Sequence, residues 1–280
     1  MFLGMVSPDS KASGSRSSMY EERLCAFVDI LGFRELVQRS LNRPVLQQKI
    51  RQLLREVVEA TPVWERNSPV DLIEARLSGE GARDPKSAAE KLVASYSAAE
   101  RGTSFSDSLV LSVLPDPQAI SRFVTSLLFL SRSTAELGGY VRGAICRGLL
   151  CHEPDLCFGP ALIEAYDLEQ KIAVYPRIII TSAAHEAIAP VDIPVIGSLV
   201  SYFGTDVDGE RFLHFLSPRA FDLVGSFRVE QMGVIRRELC RQLESCKIAD
   251  SRRPKLVWLA RYFNSSLAEA PVPGINPIAI

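Results

Sequence analysis

One short stretch, CAFVDILGFREL at residues 25–36, constrains this chain more than any other. Its first half is apolar enough for a buried strand, and that strand then meets a carboxylate, Asp29. An ionised aspartate in apolar surroundings costs several kcal/mol unless something pairs with it. Gly32 follows closely, and Phe33, Leu36 and Val37 then recur at helical spacing. The stretch therefore predicts a buried strand over residues 24–31, a tight turn at Gly32, and a helix starting beside the end of the strand. The free N–H groups of such a helix can hold phosphate oxygens.

A second acidic residue is placed in the same way. TSFSDSLVLSV, residues 103–113, reads as two strands hinged at Ser106, Asp107 and Ser108, a hairpin with an acidic tip. If the chain folds as a βαββαβ sheet, its first and third strands are neighbours and the hairpin tip approaches the end of the first. Two carboxylates converging there can bind a pair of divalent cations, as in phosphoryl transfer. On the residues alone, Asp29 can equally be a helix N-cap and Asp107 an ordinary turn residue.

The remaining pattern fits an α+β chain. Leu46, Ile50, Leu53, Leu54, Val57 and Val58 mark one face of a second helix. Residues 61–100 are polar and irregular and read as a surface insertion, with a short helix near 88–98. Asp116-Pro117 is an N-cap followed by proline at the first helical position, opening a helix that Gly138-Gly139 stops. YVRGAICRGLL is a strand, PALIEAYDLEQKIA a helix and RIIIT a further strand; SLVSYFG and RFLHFL are joined by TDVDGE as a hairpin. Ser217-Pro218 opens the first of two carboxy-terminal helices, the last carrying KLVWLARYFN. The order predicts a ferredoxin-like α+β sandwich with added C-terminal helices. Its expected limits are a flexible tail at 1–19, one domain at 20–265, and a C-terminal tail at 266–280.

Composition excludes several classes. A formal net charge of −1 gives no footprint for nucleic acid or an anionic membrane. No apolar run approaches the roughly 18 residues of a membrane span. The amino terminus lacks a basic segment followed by an apolar core, so no secretion signal is expected. The six cysteines include no CxxC pair, and the six-residue separations Cys151/Cys157 and Cys240/Cys246 match no common zinc spacing. They read as reduced thiols of a cytoplasmic protein. His152, His185 and His214 show no triad pattern. DVDG at 206–209 opens like a calcium loop but lacks the closing glutamate, so a hairpin turn is expected.

FVDILGFREL resembles the F-x-D-I-x-G-F-x-x-L signature of class III nucleotide cyclases. VRGAICRG resembles their R-x-G-I-x-x-G strand, FGPALIEAYDLE the following helix with its A-x-x-L-E ending, and RIII the next strand. The resemblance implies that Asp29 and Asp107, with the carbonyl of Ile30, hold two divalent cations, Mg2+ or Mn2+. It places Leu31, Gly32 and Phe33 at the triphosphate and the active sites between two copies of the chain. Departures are informative. The adenine-selecting lysine falls on Thr103 and its partner aspartate on Leu156; the helix Asn and Arg fall on Ile163 and Asp167. The transition-state arginine is therefore absent.

These departures resemble the pyrimidine cyclases of bacterial Pycsar anti-phage defence, as do PRIII, DVDGERFLHFL and WLARYFN. That resemblance implies a homodimeric uridylate or cytidylate cyclase making a second messenger from UTP or CTP, with Arg101 and Thr103 in the base pocket. Arg142 is a candidate phosphate contact. Lys171 is a candidate for the missing cation, with Arg177 and Arg211 behind it. The alternatives are a purine cyclase and a degenerate cyclase domain that acts as a nucleotide-binding regulator.

Overall fold

A computed structural model of the chain describes residues 19–58, 84, 86, 100–193, 197–222 and 228–280. The amino-terminal tail and nearly all of the insertion expected at 61–100, including its helix at 88–98, lie outside them. The first strand, β1, is Glu21–Leu31, followed by helices α1 (Phe33–Ser40) and α2 (Pro44–Val58). The acidic hairpin is β2 (Glu100–Phe105) and β3 (Ser108–Val113). Helix α3 (Pro117–Leu137) leads to the long strand β4 (Tyr140–Glu153), the short β5 (Leu156–Phe158) and helix α4 (Pro160–Lys171). Strand β6 (Ile178–Ile180) and helix α5 (Ser182–Ile188) follow. Two small strands, β7 (Asp192–Ile193) and β8 (Gly197–Ser198), pair with each other. A 3-10 turn at Leu199–Tyr202 replaces the first part of the strand expected from SLVSYFG and leads into β9 (Phe203–Thr205). The chain ends with β10 (Arg211–Leu213) and helices α6 (Pro218–Asp222), α7 (Arg228–Ser245) and α8 (Arg253–Glu269).

Among the described residues the main sheet runs β2-β3-β1-β4-β6-β10-β9, with β5 folded onto β4. It is mixed: β4 and β6 are parallel, while β1 is antiparallel to both β3 and β4. The apolar positions of β1 and β3, Leu24, Ala26, Val28, Ile30, Leu109, Leu111 and Val113, point into one core with Phe123, Leu127 and Leu130 of α3. Asp116 caps α3 by accepting from the N–H groups of Gln118 and Ala119. None of the helices described is long and apolar enough to cross a membrane.

The C-terminal boundary differs from expectation. Helix α8 runs to Glu269, past the limit expected at 265. Residues beyond it are docked: Ile278 is buried, and its N–H and C=O both bond the Asn264 side chain. The prolines and glycine of APVPGINP mark turns that fold this segment back rather than a loose end.

The motifs PRIII, DVDG and WLARYFN come together as one cage. Arg177, which is 1% exposed, donates to Asp206 and Asp208. Trp258 of α8 also donates to Asp206 at 2.8 Å and stacks on Tyr175, and both rings lie beside the guanidinium. The paired aspartates of the β9–β10 turn thus hold an internal cation. Gly209 takes φ +88°, and the N–H of Asp206 donates to Glu210, closing the expected hairpin.

Candidate active site

The site is built from strand register. Asp29 of β1 lies opposite Ser108 of β3 on one side and Arg142 of β4 on the other. The N–H of Ile30 donates to the carbonyl of Asp107 at 2.9 Å, tying the hairpin tip to the end of β1. The two aspartates are thereby brought together, and Asp107 acts electrostatically on Asp29. Burial pushes the Asp29 carboxyl up; Arg142 opposes this, and Asp107 adds to it. Burial thus outweighs the pull of Arg142 and Lys255.

Arg142 Nε lies 3.3 Å from Asp29 and 2.6 Å from Glu169 of α4. Glu169 is wholly buried, and burial raises its proton affinity against the pull of Arg142. Lys255, near the start of α8, completes the charge group. Burial and Arg142 lower its pKa, while Asp29 and Glu169 raise it. The group depends on close strand contact: a side chain at Gly143 would meet the carbonyl of Phe27 at 2.3 Å. Gly32 takes φ +82° and turns the chain straight from Leu31 into α1 at Phe33. The expected residues Leu31, Gly32 and Phe33 therefore follow the acidic strand end directly.

Alternation puts further expected residues on the same sheet face. Cross-strand partners share a face, and the registers align Asp29, Phe27 and Cys25 with Ser108, Val110 and Ser112, then with Phe105, Thr103 and Arg101. On this face α4 covers β1, with the Phe27 and Tyr166 rings 5.4 Å apart. The β2 side is more open, and Phe105 is 84% exposed. Thr103 bonds His152 Nε2 at 3.0 Å, and His152 Nδ1 bonds Ser112 at 2.8 Å. Leu156, half exposed, pairs with Glu153 on the same β4–β5 hairpin as His152.

Other candidates lie elsewhere. Lys171 is paired with Asp167 at 2.9 Å on the exposed side of α4, not with the Asp29 group. Ile163 shares that side, where a shallow groove runs past Pro160, Asp167 and Lys171. Arg177 is committed to Asp206 and Asp208, and Arg211 is exposed on β10. Sequence reasoning assigned no role to Glu169, although it is the glutamate of the LE pair in the matched helix. Lys255 and His152 had no local signal, because each reaches its partners across the fold.

All six cysteines are free thiols. Among the described residues, no group of three or more His, Cys, Asp or Glu side chains is arranged for a metal ion. No protein-family model matches the chain, and no curated protein matches it.

Proposed function

We propose that the chain is a pyrimidine nucleotide cyclase that converts UTP, and CTP less readily, to the 3′,5′-cyclic monophosphate and pyrophosphate. On this reading it has a ferredoxin-like class III cyclase domain, acts as a homodimer in the cytoplasm, and makes a second messenger of anti-phage defence. The observation that carries the proposal is the junction of β1 with the β2–β3 hairpin, where Asp29 and Asp107 meet beside Arg142. The strand order β2-β3-β1-β4 supports the fold.

The donor set suits two Mg2+ or Mn2+ ions. Such hard cations take one or two protein carboxylates and fill the rest of their shell with substrate phosphates and water. The raised proton affinity of Asp29 marks a site that gains from added positive charge. Asp29, Asp107 and the Ile30 carbonyl would hold the ions. When bound, they supply charge stabilisation at the ribose 3′-oxygen and the departing pyrophosphate.

In the reaction the 3′-hydroxyl gives up its proton and its oxygen bonds to the α-phosphorus. The bond from that phosphorus to the bridging oxygen breaks, and pyrophosphate leaves. Arg142, steadied by buried Glu169, orients Asp29. The start of α1 after Gly32 presents N–H groups to phosphate oxygens, and Lys255 adds positive charge on the α8 side. The base contacts Arg101 and Thr103 lie half-buried on the same sheet face as Asp29. In the dimer, Lys171 of one chain serves the site of the other; its exposed i,i+4 pair with Asp167 is worth only about 0.3–0.5 kcal/mol and yields easily.

The test is incubation of the purified protein with each of the four ribonucleoside triphosphates and Mn2+, with products identified by mass. Cyclic UMP as the main product is expected. Cyclic AMP formed as fast as cyclic UMP refutes the base assignment. No cyclic product from any substrate refutes the enzyme reading and leaves the regulatory alternative.

A further inference from the structure

We propose that His152 is a positioning residue for the base pocket: its Nε2–H holds the Thr103 hydroxyl as an outward-facing donor, so the pocket reads a carbonyl oxygen there. The inference deepens the nucleotide-site reading above and rests on it for the identity of the ligand.

The polarity follows from a chain of hydrogen bonds that begins at a group with only one possible role. Arg23 Nε donates to Ser112 Oγ at 3.0 Å, and a guanidinium cannot accept. Ser112 is wholly buried, so its own proton needs an acceptor. His152 Nδ1, at 2.8 Å, supplies it. A ring nitrogen that accepts carries no proton, so the neutral imidazole holds its proton on Nε2. Nε2 lies 3.0 Å from Thr103 Oγ1 and donates to it. With that lone pair engaged, the threonine directs its own proton elsewhere, and its open side is the sheet face shared with Asp29.

The environment keeps the imidazole in this form. Burial, with Arg23 and Arg101 nearby, lowers the His152 pKa to about 4. Arg23, Ser112 and His152 are 3%, 0% and 7% exposed. Three polar residues buried in series carry risk unless every partner is satisfied, and this series ends at the half-buried Thr103. The nearby Arg101 is also a donor only. Two donors side by side suit uracil, which offers carbonyls at positions 2 and 4. Cytosine would bring its 4-amino group, a third donor, to one of them. Leaving one such donor unmatched corresponds to a discrimination of roughly 10- to 100-fold.

Two measurements on the full chain test the proposal. The first reads the His152 tautomer from two-bond 1H–15N spectra of labelled protein at pH 7, with the signal assigned by its loss in His152→Gln. A proton on Nε2 is expected; a proton on Nδ1, or an imidazolium, overturns the proposal. The second measures the affinities of 3′-deoxy-UTP and 3′-deoxy-CTP, which lack the attacking hydroxyl, by calorimetry with Mg2+. Wild type should favour the uridine analogue by roughly 10- to 100-fold. Thr103→Ser and His152→Gln, which keep a hydroxyl and an N–H donor respectively, should retain most of that preference. Thr103→Val and His152→Phe should each reduce it to about threefold or less, and the double variant should lose no more than Thr103→Val alone. Additive losses, or a preference that survives His152→Phe, overturn the proposal. A wild-type protein that binds neither analogue refutes the nucleotide-site reading and the base assignment with it, while the spectrum still decides the polarity of the His152–Thr103 pair.

Discussion

Replacing Arg177 with methionine tests whether one buried cation clips α8 to the sheet. The side chain is nearly fully buried, and both its acidic partners sit on the β9–β10 turn. Methionine keeps much of the volume and removes the charge. The two aspartates then fare differently. Asp208 is 42% exposed and can return to water, so its part of the loss is small. Asp206 is 11% exposed and stays behind with only the N–H groups of Trp258 and Val207 for compensation. Breaking a buried pair from one side costs about 3–5 kcal/mol, and the partial solvation of Asp208 puts this case near the lower end, about 3 kcal/mol.

For a domain of this size each kcal/mol moves Tm by about 2–4 °C, so Arg177→Met should melt about 6–12 °C lower. Denaturant unfolding followed by near-UV circular dichroism is the assay, since the Trp258 stack on Tyr175 is part of the same cage. Adding Asp206→Asn to the methionine variant should cost less than the two single changes summed, with a coupling of about 1–3 kcal/mol. Arg177→Met within about 0.5 kcal/mol of wild type, or strict additivity, would refute the cage as a stabilising unit. Acid offers a second check. Hydrogen bonds from Arg177 hold the Asp208 carboxyl below its ordinary range. That contribution is fully present above the unfolded carboxylate pKa, near 4, and is lost as pH falls through the lower folded value. The methionine variant should therefore lose less stability than wild type on acidification below about pH 4.

Asp29→Asn and Asp107→Asn should each lower cyclase turnover at least 100-fold, with Tm within a few degrees of wild type, because each removes a charge the cations need; near wild-type turnover in either refutes the two-metal assignment. Lys171→Ala should also be inactive, and mixing it with Asp29→Asn chains should recover activity through one intact site per heterodimer; no recovery on mixing, or an active monomer by light scattering, refutes the shared site. Because burial lowers His152 to about 4, its stabilising neutral form is favoured fully above pH 6.5 and lost as pH falls toward 4, by up to about 3 kcal/mol. His152→Gln should flatten the stability profile across that window in urea titrations; an unchanged slope contradicts the buried neutral ring.

Most of the frame was legible because it is written in local patterns. The strand over 24–31, the turn at Gly32, the capped helix at Asp116 and the acidic hairpin tip each depend on neighbours within a few residues, and each occurs as expected. Helix α5 and the β4–β5 pairing were not anticipated. Helix α5 spans only Ser182–Ile188, too short for a periodic signal, and the hairpin pairs only three positions. The site divides on the same line. Asp29 and Asp107 could be brought together on paper because strand order fixes them. Glu169, Lys255 and His152 could not, because their partners are 27 or more positions away and set by packing.

His152 shows why a chemistry-bearing residue can look idle in a sequence. In the sequence it belongs to no acid or nucleophile pattern, although Cys151 and Glu153 flank it. Its partners, Ser112 and Thr103, lie 40 and 49 positions away and become adjacent only when β4 returns over the β2–β3 hairpin. The Thr103 hydroxyl was assigned to the base pocket on resemblance, but a hydroxyl can donate or accept, and resemblance does not say which. The buried Ser112 decides it: one of its lone pairs takes the Arg23 N–H, and its proton is left to His152 Nδ1. Replacing Ser112 should therefore act at a distance. Ser112→Ala removes the proton that holds Nδ1 as an acceptor, allowing the opposite tautomer and leaving Thr103 able to donate to Nε2. The expected result is a uridine preference reduced toward that of Thr103→Val, measured with the same 3′-deoxy analogues. A full preference in Ser112→Ala would show that the order of donors is set elsewhere than at Ser112.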